Sequence, residues 1–227
     1  MQIATLTPIL YRILKPTFPS CLWAGAASSP KIALTFDDGP HPDYTPQLLQ
    51  VLDRYKVPAS FFWLGGCVNR SPAIACEVYR RGHWIGLHGY DHRSFARLDS
   101  SALKQSLEKT QQAIAAACQL APYKVRDVRP PNGLFTPRTL NLLHEWNYRA
   151  VMWSVVPEDW VQPGVDVVVE RVMKQVENGS LIVLHDGYYG GQDVAEITAG
   201  LVPQLRRAGF EFVTIDTLWQ QSQQFAS

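Results

Sequence analysis

Seven short runs rich in β-branched and aromatic residues recur along this chain. They lie at 32–36 (IALTF), 59–64 (ASFFWL), 84–88 (WIGLH), 125–129 (VRDVR), 149–156 (RAVMWSVV), 181–185 (LIVLH) and 212–216 (FVTID). Helical patterns separate them. Parallel strands cannot be joined by a hairpin, so strand-then-helix repeated seven times requires a parallel sheet with crossover helices. Such a sheet is either open and doubly wound or closed into a barrel. No GxGxxG or P-loop follows the first run, so a nucleotide fold gains no motif support.

Three helices are expected to open on a hydroxyl cap followed by proline, at Thr45-Pro46, Ser71-Pro72 and Thr136-Pro137. Another starts near Ser100, with apolar residues at 103, 107, 114 and 118. Two more cover about 165–177 and 194–208. Gly82, Gly179 and Gly209 are expected just past helix C-termini. The chain has 227 residues, which one domain can hold. We expect an N-terminal arm or weak targeting segment at 1–29, a main domain at 30–220 and a C-terminal tail at 221–227.

A net charge of +1 gives no electrostatic footprint for nucleic acid or an anionic membrane, and no protein partner can be read from the sequence. Cys21, Cys67, Cys76 and Cys118 include no CxxC pair, so neither a zinc knuckle nor a thioredoxin-type site is indicated. They are expected to be buried thiols. AGAA at 24–27 has the small residues of a signal-peptidase site, but Arg12 and Lys15 interrupt the apolar stretch before it. A cytoplasmic and an exported, cell-envelope location both stay open, and the larger share goes to an arm packed on the domain. No apolar run approaches the roughly 18 residues of a membrane span.

Polar residues gather where strands end. Asp37-Asp38 end the first run, His88 the third with His92 just beyond, Arg129 the fourth, and His185-Asp186 the sixth. Asp159 follows the fifth. Ligands of parallel α/β folds sit at the carboxyl ends of strands, so these clusters share one end. HGYDH at 88–92 spaces two histidines as HExxH does, but Gly89 stands where a zincin has Glu. Two imidazoles leaving a strand toward a neighbouring Asp38 suit a Lewis-acid zinc with open positions, and this reading is favoured over a structural one. No GxSxG elbow is present, which disfavours a serine esterase.

Taken in order, TFDDG (35–39), HGYDH (88–92), RPPNG (129–133), EDW (158–160) and LIVLHDG (181–187) resemble the five motifs of the NodB-homology polysaccharide deacetylases, carbohydrate esterase family four. The resemblance implies a single-domain α/β fold, a distorted (β/α)7-type barrel. It implies Asp38, His88 and His92 as metal ligands, usually for zinc, with Co²⁺, Ni²⁺ or Mn²⁺ as alternatives. Asp37 would be the general base toward a metal-bound water, oriented by Arg129. His185 would be the general acid, oriented by Asp159. Pro130, Asn132, Gly133, Trp160 and Val183 would line the substrate pocket, with the Asn132 N–H assisting at the oxyanion.

This sequence departs from the family pattern at Gly89, Asn132, Val156 and Val183, which bears on substrate more than on chemistry. The expected reaction is hydrolysis of N-acetyl groups on an amino-sugar polysaccharide such as peptidoglycan or a chitin-like glycan. The alternatives are an O-deacetylase, a small-amide or cyclic-imide hydrolase of the same architecture, and a non-catalytic glycan-binding protein. His41, His83 and His144 match none of the roles. Tyr188, Tyr189 and Gly190-Gly191 are expected to form a mobile lip.

Overall fold

The computed structural model describes residues 7–224. In chain order the elements are α1 (Thr7–Thr17), β1 (Lys31–Asp37), α2 (Tyr44–Tyr55), β2 (Ser60–Trp63), α3 (Gly65–Arg70), α4 (Pro72–Arg80), β3 (Trp84–Leu87) and α5 (Ser100–Cys118). There follow β4 (Asp127–Val128), α6 (Pro137–Glu145), β5 (Arg149–Ala150), α7 (Val165–Gln175), β6 (Leu181–His185), α8 (Val194–Arg207), β7 (Glu211–Phe212) and α9 (Ile215–Gln224). Residues 1–6 of the expected arm and 225–227 of the expected tail lie outside the described residues.

All strand pairs are parallel, in the order β5-β4-β3-β2-β1-β6, with β7 paired to the start of β1. The ring continues only through an isolated bridge between Val155, in the segment after β5, and Ile182 of β6. A second bridge joins Leu22 of the N-terminal arm to Val151. The fold is thus the distorted seven-strand α/β barrel expected. The run at 149–156 forms a strand only at Arg149–Ala150, because the chain then leaves the ladder to make these bridges.

Successive strand residues point to opposite faces. Ile32, Leu34, Phe36, Phe61, Trp63, Ile182 and Leu184 face outward and share one core with the helices. Ala33, Phe62 and Leu181 face inward and pack with Leu22, Val151, Ile215 and Leu218. Strands buried on both faces need continuous apolar runs, which is why the runs are visible in the sequence.

Helix caps divide by chemistry. Thr136 makes the expected cap, accepting from Thr139 N–H at 3.1 Å in a reciprocal capping box, with Pro137 first in the helix. Asp99 caps α5, accepting from Ala102 N–H at 2.8 Å. The cap expected at Thr45 is corrected. The helix begins at Tyr44, two residues before Pro46, and the Thr45 hydroxyl donates to Asp186 instead. Gly82 and Gly209 follow helix ends with positive φ, as expected. Gly179 also has a positive φ but ends no helix: it lies four residues beyond α7, against the backbone of Gly25, where a Cβ would come within 2.7 Å of the Gly25 oxygen. The short α3 was not expected; GGC is a poor helix start. All four cysteines are free, but only Cys21 and Cys118 are buried, so the expectation of buried thiols holds for two.

His83 is structural, as expected. Its Nδ1 accepts from Ala59 N–H at 3.2 Å, and burial pushes its pKa down to about 4. The unfolded chain therefore binds a proton that the folded chain refuses between about pH 6.5 and 4. Stability should fall across that window by up to about 3 kcal/mol from this group. Denaturant melts of His83→Asn, which keeps an acceptor near Nδ1, should show a smaller loss between pH 7 and 4 than the parent chain.

Candidate active site

The register between β1 and β6 builds the barrel interior in layers. Ala33 faces Leu181, Thr35 faces Val183, and Asp37 faces His185. An apolar floor thus rises through a threonine and a valine to a carboxylate and an imidazole at the carboxyl end.

Asp37 is buried at that end, and Arg129, just past β4, reaches it through the barrel interior. The Arg129 Nη1 donates to Asp37 Oδ1 at 2.7 Å and to the Thr35 hydroxyl at 2.8 Å, and Nη2 donates to the Met152 carbonyl at 2.8 Å. Its guanidinium lies 4.1 Å from the centre of the Phe62 ring. Arg129 is wholly buried, and that is tolerable only because a counter-charge, two oxygens and a π face replace water. Its own carbonyl is 2.8 Å from His88 Nδ1. A carbonyl can only accept, so Nδ1 carries the hydrogen and Nε2 is left with its lone pair.

Asp38 adopts φ +75°, in the left-handed region that Asp tolerates better than most side chains. The turn breaks the alternation of the strand. One carboxylate stays aimed into the barrel at Arg129, and the next swings toward the histidines. His88 Nε2 lies 3.4 Å and His92 Nε2 3.3 Å from Asp38 Oδ1. That oxygen is buried and has no hydrogen-bond partner. Burial holds His88 below its usual pKa, which favours the neutral ring. A carboxylate oxygen facing a neutral imidazole lone pair is repulsive unless a cation stands between them. Two ligands each about 2.1 Å from one zinc at a tetrahedral angle stand about 3.4 Å apart. The Asp38, His88 and His92 side chains, with ligand atoms all within 4.8 Å of one another, therefore fit a divalent cation. Asp37 Oδ2 lies 4.0 Å from His88 Nε2, beside the same point.

Across the site, Asp159 accepts twice from one residue: from His185 N–H at 2.7 Å and at the ring Nδ1, 2.8 Å away. This leaves His185 Nε2 directed away from its orienting carboxylate. Burial alone would lower the His185 pKa, but the charge and hydrogen bond of Asp159, with Asp38 and Asp37 beyond, outweigh it and push it up to about 9. Arg171 on α7 braces the loop before Asp159, donating to the Pro157 carbonyl at 2.9 Å. The Trp160 ring stands edge-on to His185, with centroids 5.2 Å apart.

The remaining expected pocket residues are placed as follows. Pro130 is buried, Asn132 is exposed at φ +58°, and Gly133 at φ +66° packs on the Trp153 ring. Val183 is buried one layer below His185. Asp186 and Thr45 were not expected to position the site: the sequence placed Asp186 only at a strand end and Thr45 only at a helix cap. Asp186 is wholly buried and accepts from the Thr45 hydroxyl at 2.6 Å and the Trp63 indole at 3.3 Å. Burial pushes its pKa up to about 7, against the pull of those two donors. Its N–H donates to the Asp37 carbonyl, so it fastens the Asp37-Asp38 turn to the His185 strand. Two signals were available: Thr35 is the one polar residue of its run, on the Asp37 face, and Asp186 completes the HDG motif.

With this geometry in view, three comparisons agree. Residues 24–151 match the family model described as polysaccharide deacetylase. The chain belongs to the polysaccharide deacetylase family, a family of hydrolases. It is 34% identical over 215 residues to a peptidoglycan-N-acetylglucosamine deacetylase of Bacillus cereus, covering 92% of this chain and 97% of the relative. It is also 34% identical to a chitooligosaccharide deacetylase of Bradyrhizobium, covering 79% and 86%. The crystal structure of the Bc1960 peptidoglycan N-acetylglucosamine deacetylase, in complex with 4-naphthalen-1-yl-N-oxidanyl-benzamide, superposes with a TM-score of 0.84 at 30% identity, over 89% of this chain and 94% of that one.

Gly187 abuts the candidate cation site. A Cβ there would come within 2.4 Å of Asp38 Cβ and 2.8 Å of Asp38 backbone atoms. Gly187→Ala must therefore move Asp38, and zinc affinity measured by calorimetry should fall by about 10–100-fold, the range seen when groups that orient ligands are disturbed. Unchanged affinity would show that the neighbouring loop absorbs the methyl group.

Proposed function

We propose that this protein hydrolyses the N-acetyl groups of a glycan containing N-acetylglucosamine, in the peptidoglycan or chitin class, with a divalent cation held by Asp38, His88 and His92. The observation that carries this reading is the unpartnered, buried Asp38 oxygen facing two imidazole nitrogens at 3.3 and 3.4 Å. The names of the relatives support the substrate class. Zinc is the ion proposed, with Co²⁺, Ni²⁺ and Mn²⁺ as substitutes.

Amide hydrolysis needs a nucleophilic water, stabilisation of charge on the carbonyl oxygen, and a proton for the departing nitrogen. A bound divalent cation supplies Lewis acidity, lowering the pKa of water to roughly 7 and polarising the acetyl carbonyl. Asp37 takes the proton of the attacking water, and Arg129 holds its other oxygen so that it cannot rotate away. His185, kept protonated by Asp159, delivers a proton to the amino-sugar nitrogen from the far side. Trp160 walls the acid, and Val183 forms the floor below it. Pro130 and Gly133 shape the 130–133 loop, and the Asn132 N–H is the proposed additional oxyanion donor. No covalent intermediate is required.

Purified protein supplied with Zn²⁺ or Co²⁺ and N-acetylglucosamine oligomers should release acetate, lose that activity to a chelator, and regain it on adding metal. A metal-loaded protein that frees no acetate from any N-acetylated glycan would overturn the reading; acetate from O-acetylated glycans alone would point to the esterase alternative.

The two aspartates should fail differently. Asp37→Asn should cut kcat by about 10²–10⁴-fold with metal binding retained, the usual worth of a general base. Asp38→Ala should lose the metal itself, read by metal content after gel filtration.

The acid must be protonated, so activity should be lost as pH rises through the His185 pKa. That alkaline limb of kcat/KM should lie at or below about 9, because a cation at Asp38 cancels part of the pull of that carboxylate. A limb that stays in place in Asp159→Asn would reject His185 as its source.

A further inference from the structure

Among the described residues, eight large hydrophobic side chains are exposed, and four of them, Leu134, Val161, Tyr188 and Tyr189, lie on loops at the carboxyl end of the barrel. Singly exposed side chains are ordinary, but adjoining exposed ones commonly mark a contact site. Tyr188 and Tyr189 are the most pronounced, at 75% and 69% exposure. Their rings stand edge to face, with centroids 5.1 Å apart. Nothing in the fold or the proposed chemistry uses them.

The loop that carries them spans the site. It leaves β6 at His185, and Tyr188 follows three residues later. Gly187 lies against Asp38, and Gly190, at φ +87°, packs its Cα side against the Trp160 backbone, where a Cβ would come within 3.1 Å of Trp160 Cα. Gly191 then closes on Asp186, where a Cβ would come within 3.0 Å of the Asp186 carbonyl carbon. The two tyrosines thus ride between one contact at the cation site and another at the wall of the acid. The loop makes a close approach on each side of the tyrosines, whose rings stand exposed at the rim.

We propose that Tyr188 and Tyr189 form a stacking platform for sugar residues beyond the immediate neighbour of the one being deacetylated, so that a longer glycan chain gains affinity that a disaccharide cannot. This rests on the proposed function of the same site. A pyranose ring presents a face of C–H bonds flanked by hydroxyls. A tyrosine presents a π face of negative potential and a hydroxyl at its edge, so one side chain matches both parts. Tyrosine also offers this area with few rotatable bonds, which keeps the ordering cost of binding low. An edge-to-face pair offers two differently oriented faces, suited to successive sugars rotated relative to one another along a chain.

The test compares the parent chain with Tyr188→Ala/Tyr189→Ala and Tyr188→Phe/Tyr189→Phe, all zinc-loaded, on N-acetylglucosamine dimer and hexamer. The double alanine variant should raise KM for the hexamer about 5–20-fold, with kcat and the dimer kinetics unchanged. The double phenylalanine variant should keep most of the hexamer affinity. Equal loss on dimer and hexamer, or no change on either, would overturn the platform. Calorimetric binding of hexamer to Asp37→Asn protein, with and without the two alanines, reads the platform apart from catalysis. Binding that depends on the tyrosines supports it even if no acetate is ever released, and hexamer binding unaffected by the alanines, or none at all, rejects it.

Discussion

The Arg129 guanidinium, buried in the barrel, is the contact on which the site depends. It binds the Asp37 carboxylate, the Thr35 hydroxyl and a carbonyl from the segment after β5, and it lies over Phe62. Its backbone carbonyl fixes the ring of His88. One residue therefore holds the proposed base, sets the tautomer of a proposed metal ligand and anchors the segment after β5. Removing either partner of a buried ion pair costs about 3–5 kcal/mol, because the other charge is stranded. Function and stability are not separable at this position.

The opposite side of the site is built on the same logic with less charge. Asp159 grips both the backbone and the ring of His185, and Arg171 holds the loop that presents Asp159. Asp186 then ties the two halves together, since its backbone reaches Asp37 and its carboxylate anchors Thr45 and Trp63. Each charged group proposed to act is positioned by a second buried group that does not. Such support lets a site hold its geometry without relying on the substrate.

Much of this was legible in the sequence. The strands declared themselves because parallel strands buried on both faces leave apolar runs of the right length. The motif residues declared themselves because strand ends of parallel sheets converge on one end. The distinct orientations of Asp37 and Asp38 were harder to see. They depend on a left-handed turn, which Asp permits but does not require. Asp186 and Thr45 were missed for a related reason. Thr45-Pro46 has the local signature of a helix cap, and a buried carboxylate 141 residues away outcompetes the helix end for that hydroxyl. Gly179 misled likewise, since the close approach of a distant backbone leaves the same glycine as a helix terminus. Local patterns reported elements; they could not report long-range competition for a hydrogen bond.

The incomplete ring has a consequence of its own. A strand that stays in its ladder commits every carbonyl to a neighbour. After β5 the chain abandons the ladder, and the Met152 carbonyl is left to turn inward, where Arg129 takes it. A geometrically regular barrel would hold no spare backbone acceptor at that depth, and Nη2 of the guanidinium would lose the partner it has here. The irregular seam is thus a dry substitute for hydration, and symmetry is what this fold gives up to keep a cation at its centre.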